Sequence, residues 1–206
     1  MLKLRSISNL IAVGALAALV ACGGDDEATP IDAPMVTVDA SGPDAAGLAQ
    51  TCANYCTLIT ANCNGNLAMY ADAATCMATC THAPAGTAAD MSGNTLGCRI
   101  YHADAAAGNA ALHCRHAGPG GDGACGADCE GFCTLTLGAC AGQASPPYAS
   151  MSACMTSCAG FATTPAYSAS TTGGNSLACR LYHATAASTN PALHCPHTMP
   201  TSATCN

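Results

Sequence analysis

The chain has 206 residues, 17 of them cysteine, and a formal net charge of −7 from 5 Lys and Arg against 12 Asp and Glu. Half of it counts as hydrophobic, but 46 alanines and the 17 cysteines supply 63 of those residues, and residues 49–206 hold only 19 Leu, Ile, Phe and Met, with no Val and no Trp. Such a composition excludes a conventional large-core enzyme, and the acidic balance argues against a nucleic-acid partner.

Residues 1–8 carry Lys3, the only lysine, and Arg5, and an apolar run from Leu10 to Ala21 follows. A basic start with a short apolar stretch reads as an export signal over residues 1–21, since a membrane span needs about 20 apolar residues. Leu19–Val20–Ala21–Cys22 resembles the lipobox of bacterial lipoproteins. That resemblance implies an acylated Cys22 as the first mature residue. Gly23, standing where an acidic residue would signal inner-membrane retention in Gram-negative lipoproteins, implies the outer membrane or cell surface. Residues 22–48 contain Asp25, Asp26, Glu27, Asp32, Asp39 and Asp44 and no basic residue, and should form a solvated tether.

The 16 cysteines that remain fall into two sets of eight. Cys52, Cys56, Cys63, Cys76, Cys80, Cys98, Cys114 and Cys125 are answered by Cys129, Cys133, Cys140, Cys154, Cys158, Cys179, Cys195 and Cys205. An even number suits full pairing in an oxidising compartment, and disulfides at about 2–4 kcal/mol each would offset the thin core. The expected modules are residues 49–126 and 127–206. Cys52, Tyr55, Cys56, Ile59 and Cys63 lie on one helical face, as do Cys129, Phe132, Cys133 and Cys140, with Thr136 in the place of Ile59. Cys76 and Cys80, and Cys154 and Cys158, lie on one face of a second helix. Antiparallel helices would close two nested rungs, Cys52–Cys80 with Cys56–Cys76 and Cys129–Cys158 with Cys133–Cys154. For Cys63, Cys98, Cys114, Cys125 and their equivalents, three pairings stay open. Asn94 and Asn175 read as N-caps of a third helix, and Asn109 and Asn190, the latter before Pro191, as N-caps of a short fourth. No β-branched alternation occurs, so the fold class is mainly α, small and disulfide-rich.

The longest shared piece is Cys98–Arg99–Ile100–Tyr101–His102–Ala103 with Leu112–His113–Cys114–Arg115–His116, matched by Cys179–Arg180–Leu181–Tyr182–His183–Ala184 with Leu193–His194–Cys195–Pro196–His197. These C-R-x-Y-H-A and H-C-x-H pieces resemble the cysteine-rich repeats of secreted lipoproteins of myxobacterial type. The resemblance covers everything after the tether; it implies a compartment and a module but no activity.

Chemistry has few places to reside. There is no C-x-x-C, no C-x-x-C-H, no G-x-S-x-G and no phosphate-binding glycine motif, so no enzymatic activity is expected. Six of seven histidines recur: His102, His113 and His116, then His183, His194 and His197. In each copy three imidazoles could converge if the flanking cysteines are brought together, a set suited to zinc, copper or haem iron. Asp104 is the one nearby carboxylate for an outer ring nitrogen. The competing expectation is that the histidines are hydrogen-bonded packing residues. Arg99 and Arg180 are expected to stack on Tyr101 and Tyr182 and cap carbonyls rather than bind an anion. The leading functional expectation is a lipid-anchored binding or structural module of the envelope, without cofactor and with an unknown protein or envelope ligand as partner. The alternative is an extracytoplasmic metal or haem binder.

Overall fold

The computed structural model describes residues 47–206. The export signal, Cys22 and nearly all of the tether lie outside the described residues.

Eight α-helices carry the described chain: α1 (Cys52–Asn62), α2 (Ala73–Cys80), α3 (Leu96–Ala105), α4 (Ala110–Ala117), α5 (Asp128–Ala139), α6 (Met151–Cys158), α7 (Leu177–Ala187) and α8 (Pro191–His194). Among the described residues there is no strand. In each module a helical hairpin, α1–α2 or α5–α6, is followed by a third helix packed on its first and by a short fourth helix.

Helices of four to twelve residues are marginal alone, so caps and cystines hold them. Thr51, Asp72, Thr95, Asn109, Ser150, Ser176 and Asn190 each accept a backbone N–H with the side chain at the start of a helix. The third-helix caps are therefore Thr95 and Ser176, one residue beyond the expected Asn94 and Asn175. Asn94 instead donates to Thr134 Oγ1 of the second module at 3.0 Å. In both copies the extended backbone needed at the cap falls on the hydroxyl residue.

Eight disulfides join the helices, all within modules. Cys52–Cys80 and Cys56–Cys76 are the rungs of the first hairpin, with Cα–Cα distances of 5.6 and 5.9 Å. Cys129–Cys158 and Cys133–Cys154 are those of the second. The pairs left open resolve the same way twice. Cys63–Cys114 and Cys140–Cys195 tie the end of the first helix to the fourth helix, while Cys98–Cys125 and Cys179–Cys205 tie the third helix to the closing loop.

The first core is Tyr55, Ile59, Met69, Leu96 and Ile100 around the cystines; the second is Phe132, Leu135, Tyr148, Leu177 and Leu181. Each module satisfies one buried carbonyl by a tyrosine on a different element. Tyr55 of α1 donates to Ala117 O at 2.7 Å, whereas Tyr148, ahead of α6, donates to the equivalent Thr198 O at 2.8 Å because Phe132 stands where Tyr55 does.

Candidate metal centre

Arg99 and Arg180 set the frame. Both are buried, 4% and 1% exposed, and both donate to main-chain carbonyls. Arg99 donates to Thr95 O, Gly118 O and Pro119 O. Arg180 donates to Ser176 O, Met199 O, Pro200 O and Cys205 O. A guanidinium fork suits this geometry, and it braces the start of the third helix against the loop that leaves the fourth. The expected stacking on tyrosine does not occur. Arg180 lies over the Phe161 ring at 4.1 Å, and Tyr101 and Tyr182 meet the adjacent His102 and His183 edge-on at 5.0 and 5.1 Å.

One turn beyond the pinned Cys98, α3 presents His102, and α4 presents His113 and His116 at i and i+3, one face of a helix. In the second module α7 presents His183, α8 ends on His194, and a 3-10 turn (Cys195–Thr198) carries His197. Pro196, standing where Arg115 does, lacks the N–H that would continue α8. The histidine spacing survives the break.

The three imidazoles meet in both modules. One ring nitrogen from each of His102, His113 and His116 lies within 4.8 Å of the others, and the same holds for His183, His194 and His197. His102 Nδ1 is 2.9 Å from His113 Nδ1, and His183 Nδ1 is 2.9 Å from His194 Nδ1 and 3.3 Å from His197 Nδ1. On its outer side His102 Nε2 lies 3.3 Å from Met91 O, and His183 Nε2 lies 3.2 Å from Thr172 O. A carbonyl only accepts, so each Nε2 carries the proton and each Nδ1 turns its lone pair into the cluster. His113 and His194 then donate to that lone pair. The outer partner expected from sequence, Asp104, is not the one used; the carbonyls had no signature in the sequence.

Burial disfavours protonation of two imidazoles in each cluster. Burial, then the neighbouring His116 or His197, holds His102 and His183 down to about 4 from the ordinary 6.5. Burial also lowers His113 and His194. His116 Nδ1 is buried with no hydrogen-bond partner, so one polar atom of the first cluster is unsatisfied.

The donor set fits a small ion. Metal–imidazole bonds of about 2.0–2.1 Å place tetrahedral ligand nitrogens about 3.3–3.4 Å apart, a few tenths of an ångström beyond the closest spacings here. Ring centroids 4.9–5.9 Å apart in the first cluster leave no room for a macrocycle, so haem, one of the expected alternatives, does not fit. Cys98 and Cys125 sulfurs also approach His102, as Cys179 and Cys205 approach His183. Being disulfide-bonded, they are not thiolate ligands.

The disulfide density fits an oxidising, extracytoplasmic setting, and no helix among the described residues is long and apolar enough to cross a membrane. Comparison with curated proteins and with solved structures gave no match. Residues 28–128 and 129–205 each match the BfoA family C-terminal domain, two tandem copies over most of the chain. The chain therefore belongs to the BfoA family.

Proposed function

We propose that the protein is an extracytoplasmic binder of a first-row transition metal, one ion per module, held by His102, His113 and His116 and by His183, His194 and His197. The observation that carries this reading is the Nδ1 of His102 and of His183, turned inward at the centre of three convergent imidazoles while Nε2 faces a main-chain carbonyl, in both copies. A neutral histidine needs an acceptor at one ring nitrogen and a donor at the other, and here the inner nitrogen meets further imidazoles rather than a hydroxyl or a backbone N–H. A metal-bound histidine has a carbonyl on its outer nitrogen and uses the inner one. Imidazole donors suit zinc and copper, with copper favoured by intrinsic affinity.

Binding rather than turnover is the role these residues support, since no nucleophile with a base and an orienting group stands in the described residues. The lipobox resemblance at Cys22 and the repeat resemblance to myxobacterial lipoproteins support an anchor in the outer membrane or at the cell surface. The acidic tether would hold the metal-binding unit away from the bilayer.

Metal analysis of the purified, fully oxidised chain tests the reading directly. Two equivalents of zinc or copper per chain, reduced to one by His113→Ala with His116→Ala, are the expected result. A chain that binds neither ion at micromolar concentration would leave the triads as polar core, with the double variant lowering stability instead.

A further inference from the structure

The two histidine sites differ on their outer side, and the difference falls on one residue. In the first module His116 Nε2 faces Asp122 Oδ2 at 3.9 Å, and Arg115 Nε faces the same oxygen at 3.7 Å. Asp122 holds a left-handed backbone, φ 47°, between Gly121 and Gly123, and its N–H is fixed by Asp128 Oδ1 at 3.0 Å. A non-glycine residue there stores local strain. In the second module the closing loop is one residue shorter. Ser202 stands in the corresponding stretch and spends its hydroxyl on the N–H groups of Thr204 and Cys205. No carboxylate is paired with His197 among the described residues. The inner sides differ correspondingly: His116 Nδ1 is buried and unpartnered, whereas His197 Nδ1 lies 3.3 Å from His183 Nδ1.

We infer, resting on the metal reading above, that the two sites are unequal: Asp122 orients His116 so that the first module holds a divalent ion tightly, and the second module holds it exchangeably. At 3.9 Å the carboxylate stands just beyond hydrogen-bond distance, and a small turn of the ring brings it to the N–H that Nε2 must carry once Nδ1 ligates the ion. Arg115 shares the same oxygen, so the carboxylate acts through the ring N–H rather than through net charge. Outer partners hydrogen-bonded to a ligating imidazole change metal affinity by about 10–100-fold. Asp122 is a positioning residue here, since it reaches the ion only through His116. The arrangement gives one chain a retained ion and a transferable one, as a surface carrier that passes metal onward requires.

Titrating the full oxidised chain with Zn2+ against a chelator of known affinity separates the possibilities. Two resolved steps are expected, the tighter one removed by His116→Ala and the weaker one by His197→Ala. Asp122→Asn should weaken the tighter step by about tenfold or more and leave the weaker one in place. Asn tolerates the left-handed backbone, so the metal-free melting temperature should be unchanged. The 15N shifts of the His116 ring should move toward the other tautomer, which a purely structural role for Asp122 would not cause. Two equal steps, a tighter step that survives His116→Ala, or an Asp122→Asn titration identical to the parent would each overturn the inequality while the metal reading stands. Absence of any Zn2+ step would overturn both.

Discussion

A hydroxyl buried without a partner is a liability a single substitution can expose, and Thr136 is one. It takes the place of Ile59 on the first helix of the second module, is 1% exposed, and its Oγ1 makes no hydrogen bond. Thr136→Val keeps the shape and removes the desolvated hydroxyl, so it should stabilise the protein by about 1 kcal/mol in urea unfolding. The histidines carry the opposite sensitivity. Above 6.5 neither the folded nor the unfolded state protonates His102 or His183. Between that value and about 4 the unfolded chain takes up protons that the folded one excludes. The metal-free protein therefore loses stability as pH falls through that window. Its urea midpoint should drop from neutral pH to about pH 4.5, and His102→Gln with His183→Gln should flatten the dependence. Recurrence between the copies made all six ligand candidates legible in the sequence. What it left out was whatever lies on the main chain or in one copy only: the carbonyls of Met91 and Thr172, and Asp122, which has no duplicate to draw attention to it.

At the scale of the helix, a cap and a cystine do the work that a large apolar face does elsewhere. Thr95 Oγ1 accepts from Cys98 N at 3.2 Å and also donates to Asp90 Oδ2 at 2.8 Å, so it ties the start of α3 to the preceding loop. Thr95→Ala should cost about 1 kcal/mol. Asn94→Ala, which loses only a half-buried bond to Thr134, should cost less; the ranking in urea unfolding distinguishes the true cap from its neighbour. Cysteine spacing along single helices made the nested rungs readable, because i and i+4 place both sulfurs on one face. The remaining four pairs depend on where the fourth helix and the closing loop of each module come to rest, and no local spacing encodes that. Cys63 and Cys114 are 51 residues apart. Likewise, Arg99 and Arg180 were legible as carbonyl caps from their recurrence, but the ring that receives Arg180 belongs to Phe161, which has no counterpart at a matched position.

At the scale of the molecule, the duplication reads as two independent stapled units, yet the structure interlocks them. Tyr167, in the loop between α6 and α7, packs on both cores and donates to Met69 O of the first module at 2.8 Å. Ala169 N donates to Ala68 O at 2.7 Å beside it, and Thr79 of α2 donates to Thr185 O of α7 at 3.3 Å. Gly131 of α5 lies so close to the first module's closing loop that a Cβ there would meet Pro119 O at 2.4 Å. Four disulfides constrain each module within itself and none joins the two, so non-covalent contacts such as these couple them. They should make unfolding a single cooperative transition, with calorimetric and van't Hoff enthalpies equal. Tyr167→Phe removes a half-buried hydrogen bond and should lower stability by about 1 kcal/mol without splitting that transition. Gly131→Ala, driving a methyl group into a backbone carbonyl, should separate the modules and resolve two transitions in differential scanning calorimetry. Two transitions in the parent chain would instead mean that each module, with its own histidine site, folds and loads alone.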